Sequence, residues 1–179
     1  MIIEEKTISS ERIYEGSILN LRKDKVTVKD GRTSYREIIE HDGGVIILGL
    51  TPEGKIPMIR QYRKAAEQIM FELPAGKLEK GEDAAEAALR EFKEETGYSA
   101  KRIKRIADFY PTVGYSEEIL YIFFAENLVA GDTDFDDNES IDIEEYSPEV
   151  LFEMIDDGKI NDGKTLIALL LYKTTQPQQ

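Results

Sequence analysis

Residues 76–98 read "GKLEKGEDAAEAALREFKEETGY", and the reading of the whole chain turns on them. From Asp83 to Thr96 apolar residues recur at helical spacing, which puts Ala85, Ala88, Leu89 and Phe92 on one face expected to be buried. Gly97 is the expected stop of that helix. Glu91, Glu94 and Glu95 share another face, turned away from the core, because residues three or four apart on a helix are neighbours. Arg90 stands four residues from both Glu86 and Glu94 and can brace the cluster. Like charges so spaced cost an isolated helix about 0.2–0.5 kcal/mol per pair, so something should compensate them. Two readings follow: an acidic face left to solvent, or a pre-assembled cation site. Carboxylates clustered without histidine or cysteine suit hard, oxygen-seeking cations, Mg²⁺ or Mn²⁺, rather than zinc or copper.

Outward from this helix the pattern is mostly strands. Ile18 to Glu40 alternates apolar and polar residues and reads as a hairpin turning at Asp30-Gly31. "GGVIILGL" and "KIPMIRQY" flank "TPEG" and read as a second hairpin of central strands. "QIMFELPAG" is a short strand entering a Pro/Gly turn. Beyond the helix, "RIKRIADFY" and "EILYIFFAENL" read as strands joined by "PTVGYSEE". "IDIEEYS" is one more strand, after the acidic stretch "DTDFDDNES". Ser147-Pro148 suits the cap and first turn of a helix ending near Gly158, and "NDGKTLIALLLYK" supplies a last helix with Asn161 or Asp162 as its cap. Strands, one helix, more strands and two helices make an α+β layer architecture rather than a repeating βαβ fold.

Composition bounds the function. The 179 residues carry a net charge of −13, which argues against non-specific nucleic-acid binding and against anionic membranes. A phosphate-bearing small molecule stays open, provided a metal or local arginines supply positive charge. The chain has no cysteine, which excludes disulfides, thiol nucleophiles and zinc–thiolate sites. The N-terminal residues lack a basic stretch followed by an apolar one, and the apolar runs are too short to span a bilayer; cytoplasmic residence is the expectation.

The helix and its approach fit G-x5-E-x7-R-E-φ-x-E-E-x-G-φ, with φ apolar, through Gly76, Glu82, Arg90, Glu91, Phe92, Glu94, Glu95, Gly97 and Tyr98. Seven fixed letters at roughly 7% each match by chance in on the order of one placement in 10⁸. The segment closely resembles the Nudix box, the strand-loop-helix signature of hydrolases that split nucleoside diphosphates linked to another moiety. The resemblance implies a Nudix fold of mixed β-sheets packed between helices, an α/β/α sandwich with an N-terminal β-hairpin extension. It assigns Glu91 and Glu95 as metal ligands with the Ala75 carbonyl, Glu94 as their support, and Arg90 and Glu82 as orienting groups. The cation implied is Mg²⁺, with Mn²⁺ the alternative.

"RIYEG", "DGR", "REIIEH", "IRQYR", "ELPAGKLEKGE" and "DGKTLIALL" together resemble the ADP-ribose pyrophosphatase branch, and "FYPTVGYSEE" resembles its proline-bearing loop through Pro111. The loop departs from the branch's common Ser-Pro-Gly form, reading Thr112-Val113-Gly114. The implied reaction cuts ADP-ribose to AMP and ribose 5-phosphate, in a homodimer with exchanged N-terminal strands. The implied layout is an extension over residues 1–40, a hydrolase domain over 41–174 and a tail over 175–179. Arg60 and Arg63 are the natural counter-charges of a diphosphate, since Arg forks match phosphate oxygens; surface strand-end arginines are the bland alternative. Arg36 and Glu37 would line the adenosine pocket, or form an edge-strand salt bridge. Tyr110 or Tyr115 would stack on a base, or simply pack. In the acidic stretch, Asp132, Asp134 and Asp136 read as solvated, while Glu139, with Asp137 second, is the candidate base beside a metal-bound water. His41 reads as a satisfied loop histidine. Two other functions compete: hydrolysis of another nucleoside diphosphate sugar or dinucleotide, and a sensor that binds without cleaving.

Overall fold

A computed structural model describes residues 2–134 and 140–175. They form two compact units, one running up to Gly43 and including Tyr110–Ile119, the other comprising Gly44–Phe109 and the described residues from Leu120 onward.

In the first unit β1 (Lys6–Glu15), β2 (Asn20–Thr27) and β3 (Thr33–Glu40) form an antiparallel sheet in that order. The chain reverses between β2 and β3 at Asp30 and Gly31, as expected, both in the left-handed region at φ 67° and 72°. The N-terminal element is therefore a three-stranded sheet rather than a hairpin. Its first strand escaped the periodicity reading because no alternation of burial exists along it: all ten residues of β1 are exposed. Asp24, buried in the sheet, accepts hydrogen bonds from the Ser10 hydroxyl and Arg22. The loop 110–119 is laced to β3, with Ile39 N–H donating to Tyr115 O and Glu117 N–H to Ile39 O.

The second unit contains β4 (Gly44–Gly49), β5 (Ile56–Arg63), β6 (Gln68–Glu72), β7 (Ala75–Lys77), α1 (Ala84–Thr96), β8 (Ser99–Phe109), β9 (Leu120–Val129), β10 (Ile141–Tyr146), α2 (Pro148–Asp156) and α3 (Gly163–Thr175). One sheet runs β7-β4-β9-β8, with β4 and β9 parallel and the other pairs antiparallel; a second runs β10-β5-β6. Here the expected hairpin of β4 with β5 does not form. Both are central strands, but of different sheets, and the turn at Thr51–Lys55 carries the chain from one to the other. Every residue of β4 is buried, so its register is fixed by partners on both sides rather than by its sequence neighbour.

The period-two alternation of β4 separates two cores. Val45 and Ile47 pack with Ala87, Ala88 and Phe92 of α1. Ile46 and Leu48 pack with Ile56 and Met58 of β5, Leu151 of α2 and Leu169 of α3. Helices thus cover both faces of the four-stranded sheet, the α+β arrangement expected from the order of elements. Ser147 caps α2 as expected, and Asp162 rather than Asn161 caps α3.

Helix α1 differs from its sequence reading in two places. Its buried face holds Ala87, Ala88, Phe92, Glu95 and Thr96, while Leu89 is 38% exposed. The face is rotated toward the glutamates because β4 and β7 both pack against the helix. Glu95, expected to point away from the core, is 4% exposed.

Candidate active site

The carboxylate site is built where β7 passes α1. The helix is well defined at both ends: Asp83 accepts from the Ala85 and Glu86 amides, and Gly97 closes it at φ 75°, its amide bonded to Lys93 O. Glu95, in the last turn, accepts a hydrogen bond from Ala75 N–H at 2.9 Å. One turn earlier Glu91 lies against Gly76, where any Cβ would sit 1.8 Å from the Glu91 carboxyl carbon. The close approach of strand and carboxylate is possible only with glycine at 76.

Arg90 binds three of the surrounding carboxylates: Glu91 at 2.9 Å, Glu94 at 3.1 Å and Glu82 at 3.1 and 3.2 Å. Its N-terminal partner is Glu82, eight residues back on the approach to the helix, rather than Glu86. Hydrogen bonding to Glu82 and the nearby charge of Glu91 raise the Arg90 pKa further above its ordinary value. Arg90 in turn holds the Glu82 carboxyl below the usual range, helped by the Glu79 amide. A shallow pocket of about 390 Å³ beside Arg90 and Glu94 is bounded by Lys93 and by Asp132, Thr133 and Asp134. Asp134 N–H donates to Glu94 O at 3.0 Å, and Lys93 reaches Asp132 O.

This donor set fits a hard divalent cation: it is all oxygen, and the missing side chain at Gly76 lets the Glu91 carboxylate lie directly against the β7 backbone. The site is not pre-assembled, however. Among the described residues no three acidic or histidine side chains are arranged to hold a metal as they stand. Arg90 occupies the space between Glu91 and Glu94, and one Glu95 oxygen is engaged by the Ala75 amide.

The structure thus brings together Ala75, Glu91, Glu94, Glu95 and Arg90. Arg63 is not a free phosphate fork: it makes a bidentate pair with Glu72, at 2.7 and 2.8 Å. Arg60 pairs with Asp142 and Glu144 of the neighbouring strand, the surface arrangement. In the first unit, Arg36 pairs with Glu5 and borders a pocket of about 380 Å³ with Arg22, Ile38 and Tyr115. Glu37 and Pro111 are exposed there, as are Tyr110 and Tyr115. His41 accepts from the Gly43 amide, the satisfied loop histidine expected. Glu139, Asp136 and Asp137 lie outside the described residues.

One cluster escaped the sequence reading. Glu72, 1% exposed, is matched by Arg63 on β5 and by Lys164 at the start of α3. Burial alone would push the Glu72 carboxyl up; the hydrogen bonds and charges of Arg63 and Lys164 outweigh it and leave the pKa lowered. The two ends of the cluster sit in segments read as a strand end, "ELPAG", and as a helix start, "DGKT", far apart in the chain. The usable signal was Glu72, a charged residue inside an otherwise apolar run; Lys164 lies in a polar helix start and gives none.

Fold and site together define a hydrolase-like carboxylate centre on a mixed α+β scaffold. Comparison with known proteins narrows this. The family model for the NUDIX domain matches residues 40–169, and one for the nucleoside diphosphate sugar hydrolase N-terminal domain matches residues 5–39. The chain belongs to the Nudix family. It is 40% identical to the ADP-ribose pyrophosphatase of Bacillus subtilis (strain 168) over 169 residues, 93% of this chain and 91% of that one. It is 39% identical to the methanol dehydrogenase activator of Bacillus methanolicus over 170 residues, 94% and 92% of the two chains. A solved structure described as an ADP compounds hydrolase shares the fold, with a TM-score of 0.85 at 19% identity, covering 97% of this chain and 95% of its own.

Proposed function

We propose that this protein hydrolyses the pyrophosphate bond of ADP-ribose, giving AMP and ribose 5-phosphate, with Mg²⁺ as the working cation and Mn²⁺ as a substitute. The observation that carries the reading is the intact set of Glu91, Glu94 and Glu95 against Ala75-Gly76, in a chain 40% identical to an ADP-ribose pyrophosphatase over nearly its whole length. Hydrolysis adds water across the bridge: a phosphorus–oxygen bond forms from water, the bridging one breaks, and two phosphomonoesters leave.

Glu91 and Glu95, with the Ala75 carbonyl and Glu94 beside them, would hold the cation, which supplies charge neutralisation for a diphosphate and a lowered water pKa. Arg90 keeps the carboxylates from repelling one another and orients Glu91 and Glu94. Glu139 is the proposed base; the stretch that contains it follows Asp134, whose amide is bonded to Glu94 O. Arg63, preset by Glu72, and Arg60 supply cationic groups for the diphosphate, and Arg36, Glu37 and Pro111 contact the nucleoside. The domain layout of residues 1–40, 41–174 and 175–179 and cytoplasmic residence belong to the same proposal. Among the described residues, no helix is long and apolar enough to cross a membrane.

A homodimer with exchanged N-terminal strands is supported by the apolar residues that β1 and its flanks expose, Ile3, Ile8, Ile13, Tyr14 and Ile18. A molar mass of one chain by light scattering would overturn it.

Incubation with ADP-ribose and Mg²⁺, followed by product identification, tests the main reading; absence of AMP overturns it. The match of residues 5–39 to a nucleoside diphosphate sugar hydrolase domain favours, as second reading, another nucleotide sugar. A substrate panel ranked by kcat/KM separates the two.

A further inference from the structure

We propose that Lys164 and Thr165, which open α3, are positioning residues for the carboxylate site: they hold the link from β6 to β7 so that the Ala75 amide meets Glu95. The inference deepens the proposed function and rests on its assignment of Glu91 and Glu95.

Thr165 is completely buried, and its hydroxyl is used twice. It donates to Asp162 at 2.6 Å and accepts from Leu73 N–H at 2.9 Å, bridging 92 residues of sequence. Asp162 also accepts from the Thr165 amide and from the Lys164 ammonium, both at 3.0 Å. Lys164 carries the connection onward to Glu72. The start of α3 therefore grips two consecutive residues of the link, Glu72 through its side chain and Leu73 through its backbone.

Two residues later comes the contact that matters for the site. Ala75 N–H lies 2.9 Å from the Glu95 carboxylate, and Gly76 is pressed against Glu91. Between them Pro74 O accepts from Ile47 N–H of β4 at 2.9 Å. With so few rotatable bonds between Leu73 and Ala75, a shift at one is passed to the other, and from there to both candidate ligands. Groups bonded directly to metal ligands commonly change metal affinity by about 10–100-fold when removed, and Lys164 and Thr165 act one link further back, which puts their effect at the low end.

A purely structural role for the α3 cap predicts something different. Loss of the cap would then lower the melting temperature and leave the ligands where they are once the protein is folded. The discriminating measurement is divalent-cation affinity without substrate. Full-length Thr165→Val, Thr165→Ser and Lys164→Gln are compared with wild type for Mn²⁺ binding, read from the free-ion signal in electron paramagnetic resonance. Circular dichroism confirms folding, and the Mg²⁺ concentration for half-maximal ADP-ribose hydrolysis is measured in parallel. Thr165→Val and Lys164→Gln are expected to weaken Mn²⁺ binding on the order of 10-fold, while Thr165→Ser, which keeps the hydroxyl, binds like wild type. Unchanged Mn²⁺ affinity in the folded variants overturns the inference. If Thr165→Val does not fold, Lys164→Gln decides, since that side chain reaches the protein's rim at 16% exposure. Wild type that fails to split ADP-ribose, with Mn²⁺ affinities moving as expected, removes the substrate reading and leaves the inference standing. Hydrolysis with unmoved affinities does the reverse.

Discussion

Two clusters of carboxylate and cation lie in the same unit and are balanced oppositely. Around α1 one guanidinium, Arg90, serves three carboxylates, Glu82, Glu91 and Glu94. At the start of α3 two carboxylates, Glu72 and Asp162, meet two cations, Arg63 and Lys164. The balanced cluster offsets its own charge around a buried glutamate, so it holds Arg63 and the start of α3 in place without drawing in a further ion. The unbalanced one has more negative charge than its arginine offsets, which is the condition for recruiting a cation. Charge count, rather than residue type, separates the cluster that can take up a cation from the one that cannot.

The largest effect should come from the unbalanced side. Glu95→Gln keeps an oxygen for the Ala75 amide and hence the fold, but turnover should fall on the order of 10³-fold, about 4 kcal/mol of barrier. Steady-state kinetics on the folded variant measure this, and wild-type turnover would break the comparison. On the balanced side, Glu72→Gln leaves Arg63 and Lys164 with Asp162 as the one remaining carboxylate of the cluster. A loss of about 3 kcal/mol is expected, a melting temperature lower by roughly 10 °C in scanning calorimetry.

The same variant gives a pH signature. The Glu72 pKa is depressed in the folded protein, so its contribution is complete above the ordinary glutamate value of 4.5 and is lost as pH falls through the folded value. The gap in urea midpoint between wild type and Glu72→Gln should be constant from neutral pH to about 5 and narrow below that. A gap that widens in acid would contradict the balance drawn here. Arg90→Met should be the mildest of the three variants, since Arg90 is about one-third exposed: a loss of about 1 kcal/mol in the absence of divalent cation. Added Mg²⁺ should raise the melting temperature of this variant, because a ligand that binds only the folded state stabilises it.

Much of this was legible in sequence. The box letters placed Phe92 inward, Gly97 at the helix end and Arg90 among the glutamates, and the structure agrees on each. Glu95 was misplaced because helical period treats a glutamate as an outward residue; β7, whose three residues show no periodicity, covers it. The β4–β5 hairpin failed for a related reason. Two apolar runs around a turn look like partners, yet β4 takes its neighbours from 75–77 and 120–125, distances that local pattern does not reach. The Glu72 cluster was hidden because its members are scattered over about a hundred positions, each unremarkable alone.

The segment from Leu73 to Ala75 has one more consequence, in the counting of donors. Leu73 N–H is received by Thr165 and Ala75 N–H by Glu95, two side chains almost wholly shut off from water. Pro74, between them and itself buried, brings no N–H at all. Any other residue there would introduce a third amide hydrogen into the interior, at a cost of about 1–3 kcal/mol if it found no partner. The proline in "ELPAG" thus removes a donor from a buried segment whose other two amides are each received by a side chain from a different helix.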